Sequence, residues 1–340
     1  MASAARRSAA VSTDPAPPRP ILCFGEALID LHASGVDAHG FAASFVPFAG
    51  GAPANVAVAV ARLGGNARFA GMLSTDRFGD FLLDGLQRAG VGTADVSRTA
   101  APTALALVTL DAAGERSFIF HRERTADLQF RVADFRAGAF DDVAVFHVCS
   151  NCLTGPAIAD ATREGMQRAH GAGALVSMDL NLRPALWPAG ADALTQVWPA
   201  LHLADVVKLS AEEFAWLAPD GEQAALDRLW RGRARLLVVT DGTRPMRWYH
   251  PDAEGELPGY AVTVVDSTAA GDAFVGGLLC RLAELDATPD RLDHLVSQLP
   301  RLHAMLRFAA ACGALTVTRQ GSFAAMPSGA EVLDFMEKQA

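Results

Sequence analysis

Lysine is nearly missing from this chain: Lys208 and Lys338 are the only two among 340 residues, and the remaining side-chain cations are arginines. The formal net charge is −9, and no clustered basic face stands against a nucleic-acid backbone or an anionic membrane, so the ligand class left is a small molecule. No apolar run reaches the ~20 residues that span a bilayer, and the first residues lack the apolar core of a secretory signal. A soluble cytoplasmic protein is the expectation. Also missing are a GxxxxGK[ST] loop, a GxGxxG after the first strand, and HExxH or paired histidine spacing, which removes the usual fingerprints of P-loop enzymes, dinucleotide dehydrogenases and zinc hydrolases. Cysteines are few and odd in number (Cys23, Cys149, Cys152, Cys280, Cys312), which fits a reducing compartment. Cys149 and Cys152 have CxxC spacing but no second pair to complete a zinc site, so they are read as buried structural residues.

Apolar residues make up 51% of the sequence, enough for a large core. Residues 1–20 are rich in Ala, Ser, Arg and Pro with no acid before Asp14, and read as a flexible tail. From Ile21 the pattern changes to ILCFGEALIDL, an apolar run that suits a buried strand. Strand-length runs follow at 104–110, 143–148, 174–180, 205–210 and 235–242. Most are separated by stretches of helical period ending in Gly, such as FGDFLLDGLQRAG. This alternation predicts an α/β fold with a mostly parallel sheet, and ligands at the carboxyl ends of its strands. Segments of about 31–48 and 103–125, the second with an AAGE turn at 112–115, fit that scheme poorly and are read as extra strands forming a lid.

The strongest local signal is VVDSTAAGDAFVGGLLCRLAEL at 264–285, read as a strand running directly into an amphipathic helix with Phe274, Leu278 and Leu282 on one stripe. Small residues Ala269, Ala270 and Gly271 let backbone N–H groups at a helix start approach an anion closely. Asp272 follows in the first turn. A carboxylate beside a phosphoryl group has a use there if it takes a proton from an attacking hydroxyl, but a favourable charge at a helix start explains it equally well. The second signal is FAGGAPANVAVAVARLGG at 48–65, where Gly50 and Gly51 allow close backbone approach and Asn55 can read hydroxyl groups.

GEALID (25–30), GGAPANVAVAVARLGG (50–65) and DSTAAGDAF (266–274) together, in this order, resemble the signatures of the ribokinase-like (PfkB) carbohydrate kinase family, over Ile21 to about Pro327. The resemblance implies a sugar kinase domain over 21–337: a central mostly parallel sheet with helices on both faces and a small β lid over the sugar. It implies ATP and Mg²⁺, Asp272 as catalytic base, and the amides of Ala269, Ala270 and Gly271 on the transferring phosphoryl group. Asp30, Gly50, Gly51 and Asn55 match the sugar side. Many members have Gly where Ala269 stands, a change expected to add only a methyl group.

Asp179-Leu-Asn181-Leu-Arg183 resembles a family Asp-x-Asn-x-Arg pattern, which implies Asn181 and Arg183 near the phosphates; strand alternation is expected to point all three side chains to one side. Ser210 and Glu213 resemble the Asn-x-x-Glu element, with Ser in place of Asn, and Glu213 would organise the Mg²⁺ water shell. Lys208 sits nearby as a charge that either approaches the nucleotide phosphates or is solvated. Thr240 and Gly242 match the nucleotide-side turn. Some members imply a monovalent cation such as K⁺ near Asp266 to Thr268 and 309–321. Arg122 resembles the sugar clamp of the fructokinase branch, making D-fructose to fructose 6-phosphate the leading reaction. 2-Keto-3-deoxygluconate kinases and a non-catalytic binding relative are the alternatives. A homodimer through the lid is expected from the pairing of β edges.

Overall fold

The computed structural model describes residues 18–36, 42–110, 116–188 and 190–339. All but the last three residues of the tail expected at 1–20 lie outside them, as do the AAGE turn and parts of the two lid segments.

The strands are β1 (Ile21–Phe24), β2 (Leu28–Val36), β3 (Ala42–Gly50), β4 (Ala67–Ser74), β5 (Gly92–Thr99), β6 (Leu105–Leu110), β7 (Arg116–His121), β8 (Val145–Cys149), β9 (Leu175–Asp179), β10 (Val206–Ser210), β11 (Leu236–Asp241), β12 (Arg244–His250) and β13 (Ala253–Leu257). The helices are α1 (Ala52–Arg62), α2 (Arg77–Arg88), α3 (Pro156–Gly171), α4 (Ala193–Leu201), α5 (Ala211–Leu217), α6 (Glu222–Leu229), α7 (Ala270–Glu284), α8 (Pro289–Ser297), α9 (Leu299–Thr316) and α10 (Gly329–Lys338).

Nine strands form the main sheet in the order β13-β12-β11-β10-β9-β8-β1-β4-β5. From β11 to β5 every pairing is parallel, and β12 and β13 close one edge antiparallel. Parallel strands need covering on both faces. Accordingly Ile21 and Cys23 of β1 enter one core cluster, and Leu22 and Phe24 enter the other across the sheet. The strand order turns at β1, which has β4 on one side and β8 on the other, and ligands bind beyond such a switch point.

A separate four-stranded sheet, β3-β2-β6-β7, is the lid. The apolar run ILCFGEALIDL divides between the two sheets: β1 ends at Phe24, Gly25 turns at φ 146°, and Leu28 to Asp30 already belong to the lid. The lid therefore starts at Leu28, slightly earlier than the sequence pattern suggests.

Two other expectations need correcting. Residues 264–266 are not a strand; Val265 N and Asp266 N both donate to Val317 O, tying the segment to the end of α9 rather than to a sheet neighbour. Helix α7 is not amphipathic in its first half, since Asp272 to Cys280 are all buried between α1 and α9. Glycines make that possible: a Cβ at Gly276 would lie 2.6 Å from the Ala59 Cβ of α1, and one at Gly277 would lie 2.8 Å from Cys312 Sγ of α9.

Candidate active site

The carboxyl ends of β8, β9, β10 and β11 lie side by side, with Cys149 in register with Asp179 and Ser210 with Thr240. Opposite them α7 begins. Ala269 caps it in the left-handed conformation, φ 61° and ψ 11°, so the residue that replaces the family glycine does more than add a methyl group. That backbone costs an L-residue about 1 kcal/mol. It begins the helix at the crevice, where the Ala270 N–H makes only a long 3.5 Å bond to Ser267 O.

Asp272 is buried one turn in, and Asn55 Nδ2 of α1 donates to its Oδ2 at 2.7 Å. Burial pushes its pKa up to about 7; the Asn55 bond, Lys208 and Arg183 pull it down, and Asp179 pushes it further up. A carboxyl that titrates near neutrality is suited to taking up a proton.

Beneath this loop, Lys208 Nζ donates to Asp179 Oδ2 at 3.2 Å, and a Cβ on Gly271 would fall 2.9 Å from that nitrogen. Lys208 is thus neither solvated nor at a free strand end: it is a buried cation under the anion loop. Burial would lower its pKa, but Asp179 and Glu213 raise it, so the ammonium keeps its charge. Asp179 in turn is pushed up to about 6 by burial, against the pull of Lys208.

The expected alternation of Asp179, Asn181 and Arg183 fails because β9 stops at Asp179 and Asn181 turns the chain at φ 40°. Asp179 therefore points inward to Lys208, while Arg183 is exposed, donates to its neighbour's Leu182 O at 3.2 Å, and acts on Asp30, Asp179 and Asp272 by charge alone.

On the lid side Asp30 is buried on β2, accepts from Ser322 Oγ at 3.3 Å, and is pushed up to about 6 by burial. The paired glycines are needed by the protein as much as by any ligand. A Cβ at Gly50 would lie 2.2 Å from Asp30 Oδ2, and one at Gly51, at φ 103°, would lie 2.6 Å from Glu26 O. Arg122 has a different duty from the sugar clamp expected of it. Its buried guanidinium donates to Asp127 Oδ2 at 2.6 Å, to Asn151 O at 3.0 and 3.1 Å, and to Thr154 Oγ1 at 3.0 Å, fixing the 150–154 turn.

Thr240, Gly242, Ala270 and Gly271 come together around a cleft of about 260 Å³, whose inner wall includes Phe274 and Gly313. Its lining is largely apolar and it opens onto the start of α7, which fits a nucleotide with its base in the cleft and its phosphates at the helix N-terminus. Ser210 and Glu213 form the capping box of α5: Ser210 Oγ accepts from Glu213 N at 3.1 Å, and Glu213 Oε2 accepts from Ser210 N at 2.7 Å. Glu213 Oε1 also accepts from Leu182 N at 2.7 Å. With both oxygens so engaged, Glu213 fits an outer role through water on a nucleotide-bound Mg²⁺ better than direct ligation.

Sequence reasoning left Asp179 and Ser322 out of the site. Asp179 stood in a recognised pattern and could have been included. Ser322 lies near the far end of the chain with no motif around it, and only the fold brings it to Asp30.

A helix N-terminus beside a buried carboxyl held near neutrality, under a separate β lid, defines an enzyme that transfers an anionic group to a hydroxyl. The chain belongs to the pfkB family of carbohydrate kinases, whose family model matches residues 19–328. It is therefore a phosphotransferase acting on a sugar hydroxyl. It is 42% identical over 322 residues to fructokinase-1 of Oryza sativa subsp. japonica, covering 93% of this chain and 97% of the rice protein. The crystal structure of a Xylella fastidiosa fructokinase with bound ATP is 52% identical, with a TM-score of 0.90 over 94% of this chain and 98% of that one. A Vibrio cholerae O395 fructokinase, in fructose-, ADP- and calcium-bound form, is 31% identical, with a TM-score of 0.82 over 93% and 98%.

Proposed function

We propose that this chain is an ATP-dependent fructokinase making fructose 6-phosphate and ADP. The observation that carries the mechanism is the Asn55–Asp272 hydrogen bond at the buried start of α7. Asp30, Gly51 and Asn55 hold the sugar against the lid. Asp272 takes the hydroxyl proton as that oxygen bonds to the γ-phosphorus and the bond to the ADP oxygen breaks. The amides of Ala269 to Gly271, with Arg183 from the open side and Lys208 from beneath, offset charge on the transferring group. Thr240 and Gly242 hold the nucleotide, Asn181 lies towards its phosphates, and Glu213 would hold Mg²⁺ through water, where the ion would offset phosphate charge.

The K⁺ requirement implied for the 266–268 loop belongs to the same proposal. Asp266 already organises that loop by accepting from Thr268 N at 2.8 Å and Gly321 N at 3.1 Å. A homodimer through the lid is supported by Phe45 and Ile119, exposed apolar residues on its outer strands β3 and β7. Light scattering that gives a monomer at working concentration overturns it. The cytoplasm is the proposed compartment, in keeping with five unpaired cysteines. No helix among the described residues is long and apolar enough to cross a membrane.

An ADP-release assay with MgATP against fructose, 2-keto-3-deoxygluconate, ribose, tagatose and adenosine tests the reaction. Turnover that depends on fructose and is lost in Asp272→Asn supports it. A preference for the keto-deoxy acid moves the assignment to that sugar acid, and no turnover with any of them refutes a fructokinase.

A further inference from the structure

The CxxC pair read as structural acquires a third partner in the fold. Cys149 ends β8, Cys152 lies in the following 3-10 turn (Ser150–Leu153), and Glu26 follows β1, so the switch point of the main sheet brings all three together. Their ligand atoms lie within 4.8 Å of one another, and all three residues are buried. Cys149 Sγ is 3.6 Å from Glu26 Oε2, and Cys152 Sγ is 3.6 Å from the same oxygen. A tetrahedral zinc ion with Zn–S near 2.3 Å and Zn–O near 2.0 Å has S···O edges of about 3.5 Å. Both S···O edges are therefore already close to those of a tetrahedral site, with the two sulfurs within 4.8 Å of each other. Phe24 O also lies 3.5 Å from Cys152 Sγ.

We propose that Glu26, Cys149 and Cys152 form a closed structural site for a thiophilic tetrahedral cation of the Zn²⁺ class, separate from the Mg²⁺ that accompanies the nucleotide. The surroundings support it. Asn151 Nδ2 donates to Glu26 Oε1 at 2.9 Å and orients the carboxylate, while Asn151 Oδ1 is buried with no partner of its own. Arg122 touches the same turn through Asn151 O and acts by charge on Glu26 and Cys152, while Asp127 pairs with it directly at 2.6 Å.

Without an ion, burial holds Cys149 as a neutral thiol, and loading replaces two S–H protons with two S–metal bonds. The bound ion would fasten β1 to the 150–153 turn, and through Glu26 Oε1, which accepts from Ala52 N at 3.3 Å, to the start of α1. None of this depends on which sugar the enzyme takes.

Because the ligands are sealed, the test supplies the metal during synthesis. Full-length protein produced with added Zn²⁺ or Co²⁺, gel-filtered after a brief chelator wash, is measured for metal-to-protein ratio and for thiolate-to-Co²⁺ charge-transfer absorption. The expected result is about one ion per chain with that absorption in the wild type, and loss of both in Cys149→Ser and in Cys152→Ser. Zinc at 100 times its Kd should shift the wild-type unfolding equilibrium about 100-fold and leave the variants unmoved. Wild-type protein carrying no ion, or carrying equal amounts in the serine variants, overturns the site. Should the variants fail to fold, the wild-type cobalt spectrum decides: bands without thiolate charge transfer refute it.

Discussion

Asn55 Nδ2 and Asp272 Oδ2 are 2.7 Å apart although 217 residues separate them in the chain. The bond ties the helix on the sugar side to the one that begins with the anion loop, and it favours the ionised carboxylate. Asn55→Ala removes that preference. The acid limb of kcat/KM should move up in pH by roughly one unit, which lowers kcat/KM at pH 7 by about 5-fold through ionisation alone. A pH profile of the variant checks this; an unmoved acid limb contradicts the role.

Asp272→Asn should lower kcat by roughly 10²–10⁴ with sugar and nucleotide binding retained, as single-turnover kinetics and calorimetry would show. The same substitution has a stability signature. A carboxyl raised from 3.8 to about 7 in the folded state contributes stability below its unfolded pKa, and that contribution is lost as pH rises through about 7. The variant should therefore be more stable than the wild type at pH 8, by up to roughly 4 kcal/mol, and little different at pH 4. Urea unfolding at both pH values measures the difference.

Lys208→Met strands Asp179 as a buried carboxylate and should cost about 3–5 kcal/mol at neutral pH. Adding Asp179→Asn should restore much of that stability. Lys208→Met alone should move the acid limb of kcat/KM up in pH, and the double variant should bring it back towards the wild-type position, because Lys208 lowers and Asp179 raises the Asp272 pKa. Denaturation and the pH profile of the single and double variants check this; an acid limb that Lys208→Met leaves unmoved contradicts the role of Lys208 beneath Asp272.

The left-handed Ala269 gives a contrast between two substitutions. Ala269→Gly relieves about 1 kcal/mol of backbone strain and loses about 0.4–1 kcal/mol to unfolded-chain entropy, so the melting temperature should stay level or rise slightly. Ala269→Val places a β-branched side chain in the same conformation and should cost more than about 1 kcal/mol. Calorimetry of the two variants measures the contrast.

Much of this was legible in the sequence because periodicity and glycine placement are local. The runs at 143–148, 174–180, 205–210 and 235–242 became β8 to β11, and α7 begins where its small residues require. What was not legible depends on long-range contact. Gly25 gave no sign that the chain leaves one sheet for another there. The solitary Lys208 could not be placed under Gly271 without the register of β9 and β10. Arg122 kept the identity expected of a clamp, but Asp127 and the Asn151 carbonyl, brought to it by the fold, claim its guanidinium. The CxxC lacked a partner in sequence because Glu26 stands 123 residues before Cys149.

The close seating of α7 has a bearing on how such an enzyme could be re-engineered. With Gly276 against α1 and Gly277 against α9, a methyl group at either position meets a neighbour below 3 Å, so the helix that begins with the base admits few sequence changes. The lid carries Asp30 on a strand whose neighbour β3 is largely exposed and free of such glycine contacts over most of its length. Libraries aimed at a new acceptor sugar are therefore best confined to β2, β3, β6 and β7, leaving residues 266–284 as an inherited chassis.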